Sequence, residues 1–128
     1  MSIDIRPKWN EPAIRVLMMP RDTNAHGTIF GGVILSYIDQ AGAIEARRQG
    51  CRLMVTVSMD KIVFHEPVFV GDLVSFWCET VRIGTTSITV KVTVESLRNI
   101  DQKVLVTDAQ VVYVNVGEDR KPTPIVRV

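Results

Sequence analysis

Residues 24–39 read Asn-Ala-His-Gly-Thr-Ile-Phe-Gly-Gly-Val-Ile-Leu-Ser-Tyr-Ile-Asp, and two features of this run could do chemistry together. Gly31 and Gly32 stand side by side where the apolar spacing turns helical. Glycine is a poor helix former. The pair signals either a tight turn with a snug helix–sheet contact or a place where another group approaches the backbone closely. The first N–H groups of a helix have no partner within it, and with the helix dipole behind them they favour an anion or a polarised carbonyl oxygen.

Asp39 is the second feature. It falls two turns into the same helix, on a stripe with Leu35, Gly42, Ala43 and Ala46 that is otherwise apolar or small. A carboxylate in such surroundings is expensive unless partnered, and acids held in dry clefts are functional candidates. The plainer reading is an acid hydrogen-bonded to a neighbouring strand; the glycines two turns away favour the functional one.

Other polar residues carry less. His26 and His65 are isolated loop residues, and Asp60 and Asp108 are mid-strand acids expected to point outward. Arg82 and Lys91 are strand bases of the kind water usually solvates. Neither a Gly-x-Ser-x-Gly elbow nor a Gly-rich phosphate loop with its lysine occurs.

Those residues need a frame. Residues 30–48 show helical spacing, with Ile34, Tyr37, Ile38, Ala41 and Ile44 on one broad apolar face. Gly50 stops the helix directly after Arg47 and Arg48, which suit its C-terminal dipole. So much apolar circumference predicts a buried helix. Five segments read as strands: 13–19, 53–64, 72–83, 86–97 and 104–116. The fourth alternates most clearly, with Ile88, Val90, Val92 and Val94 on one side. The last is apolar on both faces from Val111 onward, as if covered on both. The last four strands are expected to be consecutive hairpin partners, giving an α+β fold with a sheet curled around one helix. Its open edge, taken to be the apolar run 111–116, predicts self-association.

Bulk properties exclude several roles. A chain of 128 residues fits one domain, expected here to span 1–128 with its core at about 13–116. A formal charge of +1 gives no field to recruit nucleic acid or an anionic membrane. Residues 1–10 have no apolar signal-peptide region, and no stretch approaches a membrane span. Cys51 and Cys78 show no metal-ligand spacing and read as two reduced thiols, which together place the chain in the cytoplasm.

The run 22–43, from Asp-Thr-Asn-Ala-His-Gly to Asp-Gln-Ala-Gly-Ala, resembles the signature of hotdog-fold acyl-CoA thioesterases, more narrowly the bacterial YciA-like group. Val68-Phe-Val-Gly-Asp72 and Gly84-Thr-Thr-Ser87 are similar to later landmarks of that family. The resemblance covers roughly 13–116. It implies an antiparallel five-stranded sheet wrapped on a long central helix, and hydrolysis of acyl-CoA to a carboxylic acid and free CoA. Asp39 then matches the carboxylate that activates water or attacks the thioester, and the N–H of Gly31 or Gly32 the oxyanion donor. Gly84, Thr85, Thr86 and Ser87 match the segment meeting the nucleotide end of CoA, whose phosphates Arg82 and Lys91 could meet. Thr28 stands where relatives often carry Asn or Asp. Asn24 is near enough to substitute, although a turn role suits it better.

The implied site needs no metal or separate cofactor, CoA entering with the substrate. The partners expected are acyl-CoA and further copies of the chain, as a homodimer or a higher assembly, a tetramer or a hexameric trimer of dimers among them. Two other classes stay open at this point: a module that binds acyl-CoA or a nucleotide without turnover, and a hotdog hydratase. The acyl pocket is expected among Leu35, Tyr37, Met54, Met59 and Phe64.

Overall fold

A computed structural model describes residues 4–126. The ends of the polar lead-in and of the tail lie outside them. Strand β1 is Ile14–Leu17, followed by a short 3-10 turn at Pro20–Asp22 and helix α1, Gly31–Gln49. Strands β2 (Met54–Asp60), β3 (Leu73–Ile83), β4 (Ser87–Arg98) and β5 (Gln102–Asn115) follow. They form one antiparallel sheet in the order β1-β3-β4-β5-β2. The expected α+β arrangement of one helix against a five-stranded sheet is present.

Alternation builds the core. On β4, Ile88, Val90, Val92 and Val94 are fully buried toward α1, while Thr89, Lys91 and Thr93 between them are half-buried. From the helix, Ile34, Ile38, Ala41 and Ala46 meet that face. Burying each large side chain contributes about 1.5–3 kcal/mol. The helix ends as its sequence requires: Gly50 takes φ +124°, a value costly for any residue with a Cβ, and its N–H returns to the carbonyls of Ala46 and Arg47.

Three expectations need correction. First, β2 is not a hairpin partner of β3; it lies on the far side of β5, Thr56 facing Tyr113. Alternation marks a strand but carries no record of its neighbour, and residues 61–72 cross beneath the N-terminal end of α1 instead. There Ile29 N–H donates to the Val68 carbonyl and His65 N–H to that of Val106. Second, 111–116 is no edge. β5 is paired on both sides, by β4 and β2, and the edges are β1 and β2. Val111 and Tyr113 face the helix, while Val112 and Val114 are half-buried outward.

Third, the deeply buried face of α1 is rotated from the one expected. Tyr37 and Ile44 are only half-buried, whereas Gly42, Glu45 and Gln49 are buried. Glu45 is tolerated because its carboxylate accepts hydrogen bonds from Thr80 Oγ1 at 2.6 Å, Gln49 Nε2 at 3.1 Å and both forks of Arg48 at 2.8 and 3.0 Å.

Candidate active site

Helix α1 begins without a side-chain cap. Phe30 precedes it with φ −55° and ψ 132°, and nothing on that side chain reaches back to the first turn. The N–H groups of Gly31 and Gly32 therefore remain available. Both glycines are exposed, and a Cβ built on Gly32 would meet nothing within 4 Å. A snug helix–sheet contact is thus not the reason for this pair. A Cβ on Gly31 would lie 3.6 Å from the ring of Phe64, so the aromatic face closes one side of the helix start.

An apolar cavity of about 350 Å³ opens there, lined by Gly31, Ile34, Phe64, His65, Val68 and Thr28 among others. Of the residues expected to hold an acyl chain, Phe64 lines this cavity. Leu35, Tyr37, Met54 and Met59 pack partly buried against the core. The segment 67–69 is anchored from β4: Arg98 Nε pairs with Asp72 Oδ2 at 3.1 Å, its Nη2 donates to the Pro67 carbonyl, and its guanidinium lies 4.7 Å over the Phe69 ring. Ser96 and the Phe69 N–H complete the bonds to Asp72 Oδ2. The Val-Phe-Val-Gly-Asp landmark is a clamp on the cavity wall.

Asp39 is half-buried rather than dry, because the edge strand β2 leaves its carboxylate open to one side. Thr56 Oγ1 donates to Asp39 Oδ1 at 2.7 Å. The Tyr113 hydroxyl donates to the Asp39 main-chain carbonyl at 2.6 Å. Burial first, and then the charge of Asp39, push the Tyr113 phenol well above its usual range, so it remains a donor. Gly42 makes room for it: a Cβ there would stand 2.3 Å from the Tyr113 oxygen. Neither Thr56 nor Tyr113 was singled out from the sequence. Both lie on strands whose pairing the sequence does not disclose.

Asn24 does the work of a turn. Its Oδ1 accepts from the N–H of His26 and Thr28, and its Nδ2 donates to Thr28 Oγ1 at 2.9 Å. Thr28 lines the cavity and Asn24 orients it. Gly84, Thr85, Thr86 and Ser87 form the β3–β4 turn at the opposite end of the molecule, closed by Gly84 N–H to the Ser87 carbonyl at 2.7 Å. The carbonyls of Thr85 and Thr86 accept from Ile125 and Asn115, so the C-terminal segment clasps this turn. Arg82 is exposed beside it. No group of three or more metal-ligating side chains occurs among the described residues.

One helix therefore carries a free N-terminus and a partnered carboxylate within a curled antiparallel sheet. A family model for the thioesterase superfamily matches residues 26–101, more than half of the chain. The chain belongs to that superfamily. It is similar over 128 residues to the acyl-CoA thioester hydrolase YciA of Salmonella typhimurium, with 40% identity covering 97% of this chain and 96% of the relative. Its structure is similar to a hexameric hotdog-fold thioesterase of Campylobacter jejuni, with TM-score 0.86 and 48% identity over 91% of each chain. A hexameric thioesterase from Yersinia pestis gives TM-score 0.85 and 38% identity, over 92% of this chain and 97% of that one.

Proposed function

We propose that the chain hydrolyses acyl-CoA thioesters to a carboxylic acid and free CoA, with Asp39 as general base. The single observation that carries the mechanism is the Thr56–Asp39 hydrogen bond. It occupies Oδ1 with a donor and leaves Oδ2 to take a proton from water. The activated water adds to the thioester carbonyl, and helix N-terminal N–H groups stabilise the resulting oxyanion. Collapse expels the CoA thiolate, which takes up a proton. CoA enters as part of the substrate, and no step calls for a metal or other cofactor.

Gly31 and Asp39 of one copy do not serve the same thioester. Eight residues at 1.5 Å each put them about 12 Å apart along the axis, while a carbonyl carbon and its oxygen are about 1.2 Å apart. The carboxylate of one copy must meet the helix N-terminus of another. Edge strand β2 exposes Val55 and Val57, the surface such pairing would cover. The relatives from Campylobacter jejuni and Yersinia pestis are hexameric, and a trimer of dimers is the assembly proposed here. No described helix is long and apolar enough to cross a membrane. The cytoplasm is the proposed location, the compartment in which unpaired thiols such as Cys51 and Cys78 stay reduced.

Thiol release from a panel of acyl-CoAs tests the activity, and Asp39→Asn tests the mechanism. The substitution is nearly isosteric, so folding should persist while kcat falls at least about a hundredfold. A variant that melts early yet turns over normally would reassign Asp39 to a structural role.

A further inference from the structure

The C-terminal end of α1 holds a second concave site. Arg47 and Arg48 lie on its last turn, Arg6 arrives from the N-terminal segment, and Arg52 stands just beyond Cys51. These four, with Gly50 and Cys51, line a hollow of about 220 Å³, and no acidic side chain lines it. Arg48 is paired with Glu45. Among the described residues, Arg6, Arg47 and Arg52 have no ion-pair partner. Arg6 is held in place by its main chain, whose N–H and carbonyl bond both ends of the Gln49 amide, yet its Nε is buried without a partner.

Bases at a helix C-terminus commonly answer the dipole. That accounts for Arg47 and Arg48. It does not account for Arg6 and Arg52, which come from other segments. Nor are the carbonyls of Ala46 and Arg47 waiting for them, since the N–H groups of Gly50 and Cys51 already fill that role. Like charges gathered in one hollow repel one another, and this chain has a formal charge of only +1 to distribute. Four of its ten arginines converge at one place. A phosphoryl group is the anion that guanidinium forks match best.

The position agrees with the site already described. Ile125 bonds the β3–β4 turn at Thr85, and the next residue, Val126, lines the hollow, so turn and hollow share one end of the molecule. From Asp39 to Gln49 is ten residues, about 15 Å along the axis. The arm of a CoA ester from sulfur to diphosphate is about twelve bonds, equivalent to four extended residues or about 14 Å.

We propose that the arginine hollow binds phosphoryl groups, and that these are the phosphates of the CoA ester whose thioester lies at Asp39. The source of the phosphates rests on the thioesterase reading; the binding itself does not. The double variant Arg47→Gln/Arg52→Gln changes two exposed side chains and should fold normally. Calorimetry with CoA and with ADP, and KM for an acyl-CoA against the matching acyl-pantetheine, which has no phosphate, form the test. The expected result is a rise of about tenfold or more in the CoA Kd and the acyl-CoA KM, with the acyl-pantetheine KM unmoved. Weakened ADP binding with an unchanged acyl-CoA KM would keep the phosphoryl site but make a free nucleotide its ligand. Wild-type protein that binds CoA through these arginines without releasing thiol would sink the thioesterase reading and leave the hollow standing. Unaltered affinity for both CoA and ADP overturns the proposal.

Discussion

Thr56 on β2 and Tyr113 on β5 stand directly opposite one another in the sheet, and they hold the two ends of one residue. Thr56 grips the Asp39 carboxylate and Tyr113 its main-chain carbonyl. A β-bulge follows immediately, between Thr56 and Ser58. Both the side chain and the helical turn of Asp39 are thereby fixed to the sheet.

That pairing separates orientation from binding. Thr56→Val keeps the shape and loses the donor, and kcat should fall about tenfold with KM little changed. Thr56→Ser restores a hydroxyl and should recover most of the rate. Equal loss in both variants would mean that packing of the methyl group, and not the hydrogen bond, matters at this position.

Gly42→Ala should destabilise the fold by about 1–3 kcal/mol, because the added methyl collides with the Tyr113 hydroxyl. Combining it with Tyr113→Phe removes the closest atom, so the double variant should lose less than the sum of the two singles. Denaturant midpoints of all four proteins measure the coupling. Strict additivity would show that the collision is relieved elsewhere.

Arg98→Ala leaves Asp72 buried without its ion-pair partner and should cost about 3 kcal/mol. It also frees the segment at Pro67 and Phe69, so hydrogen exchange at Phe69 should quicken more than at Val92 in the central strand. Uniform quickening would reduce the clamp to a global contribution.

Alkali should weaken the fold. Burial raises the Cys51 thiol from 9.0 to about 11. Burial, and then the Glu45 charge, push the Cys78 thiol up to about 12. Both are acids held neutral in the folded chain. Below pH 9 their contribution is complete; above it the unfolded chain has lost protons that the folded chain keeps, and stability declines as pH rises toward 12. Thermal midpoints between pH 8 and 11 should fall, and Cys78→Ala should flatten the decline. A midpoint that holds steady to pH 11 in the native chain would contradict this account.

Much of this molecule was legible in its residues. Helix α1 begins at Gly31 and ends at Gln49 because local signals set both limits: apolar spacing, the glycine pair and Gly50. The strands were legible for the same reason, their alternation being local. What stayed hidden was non-local. That β2 pairs with β5 follows from how 61–72 crosses the helix end, and no residue in β2 records it. Thr56 consequently looked like any strand threonine. Nothing near Glu45 in the sequence marks it as a buried acid, because its partner Thr80 lies 35 residues away.

The two ends of the described chain are neighbours. Arg6 and Val126 line the same hollow, and Gly31 sits a helix length away. A short linker joining the ends would therefore close the chain into a ring without spanning the fold. The ring could then be cut at the exposed β4–β5 turn, where Asn99 takes φ +56° and Ile100 is 92% exposed. New ends at that turn would also lie well away from the hollow lined by Arg6, Arg47, Arg48 and Arg52. Circular permutation of this kind keeps every strand pairing while changing which hairpin closes first, so the order of folding becomes an adjustable property of the chain.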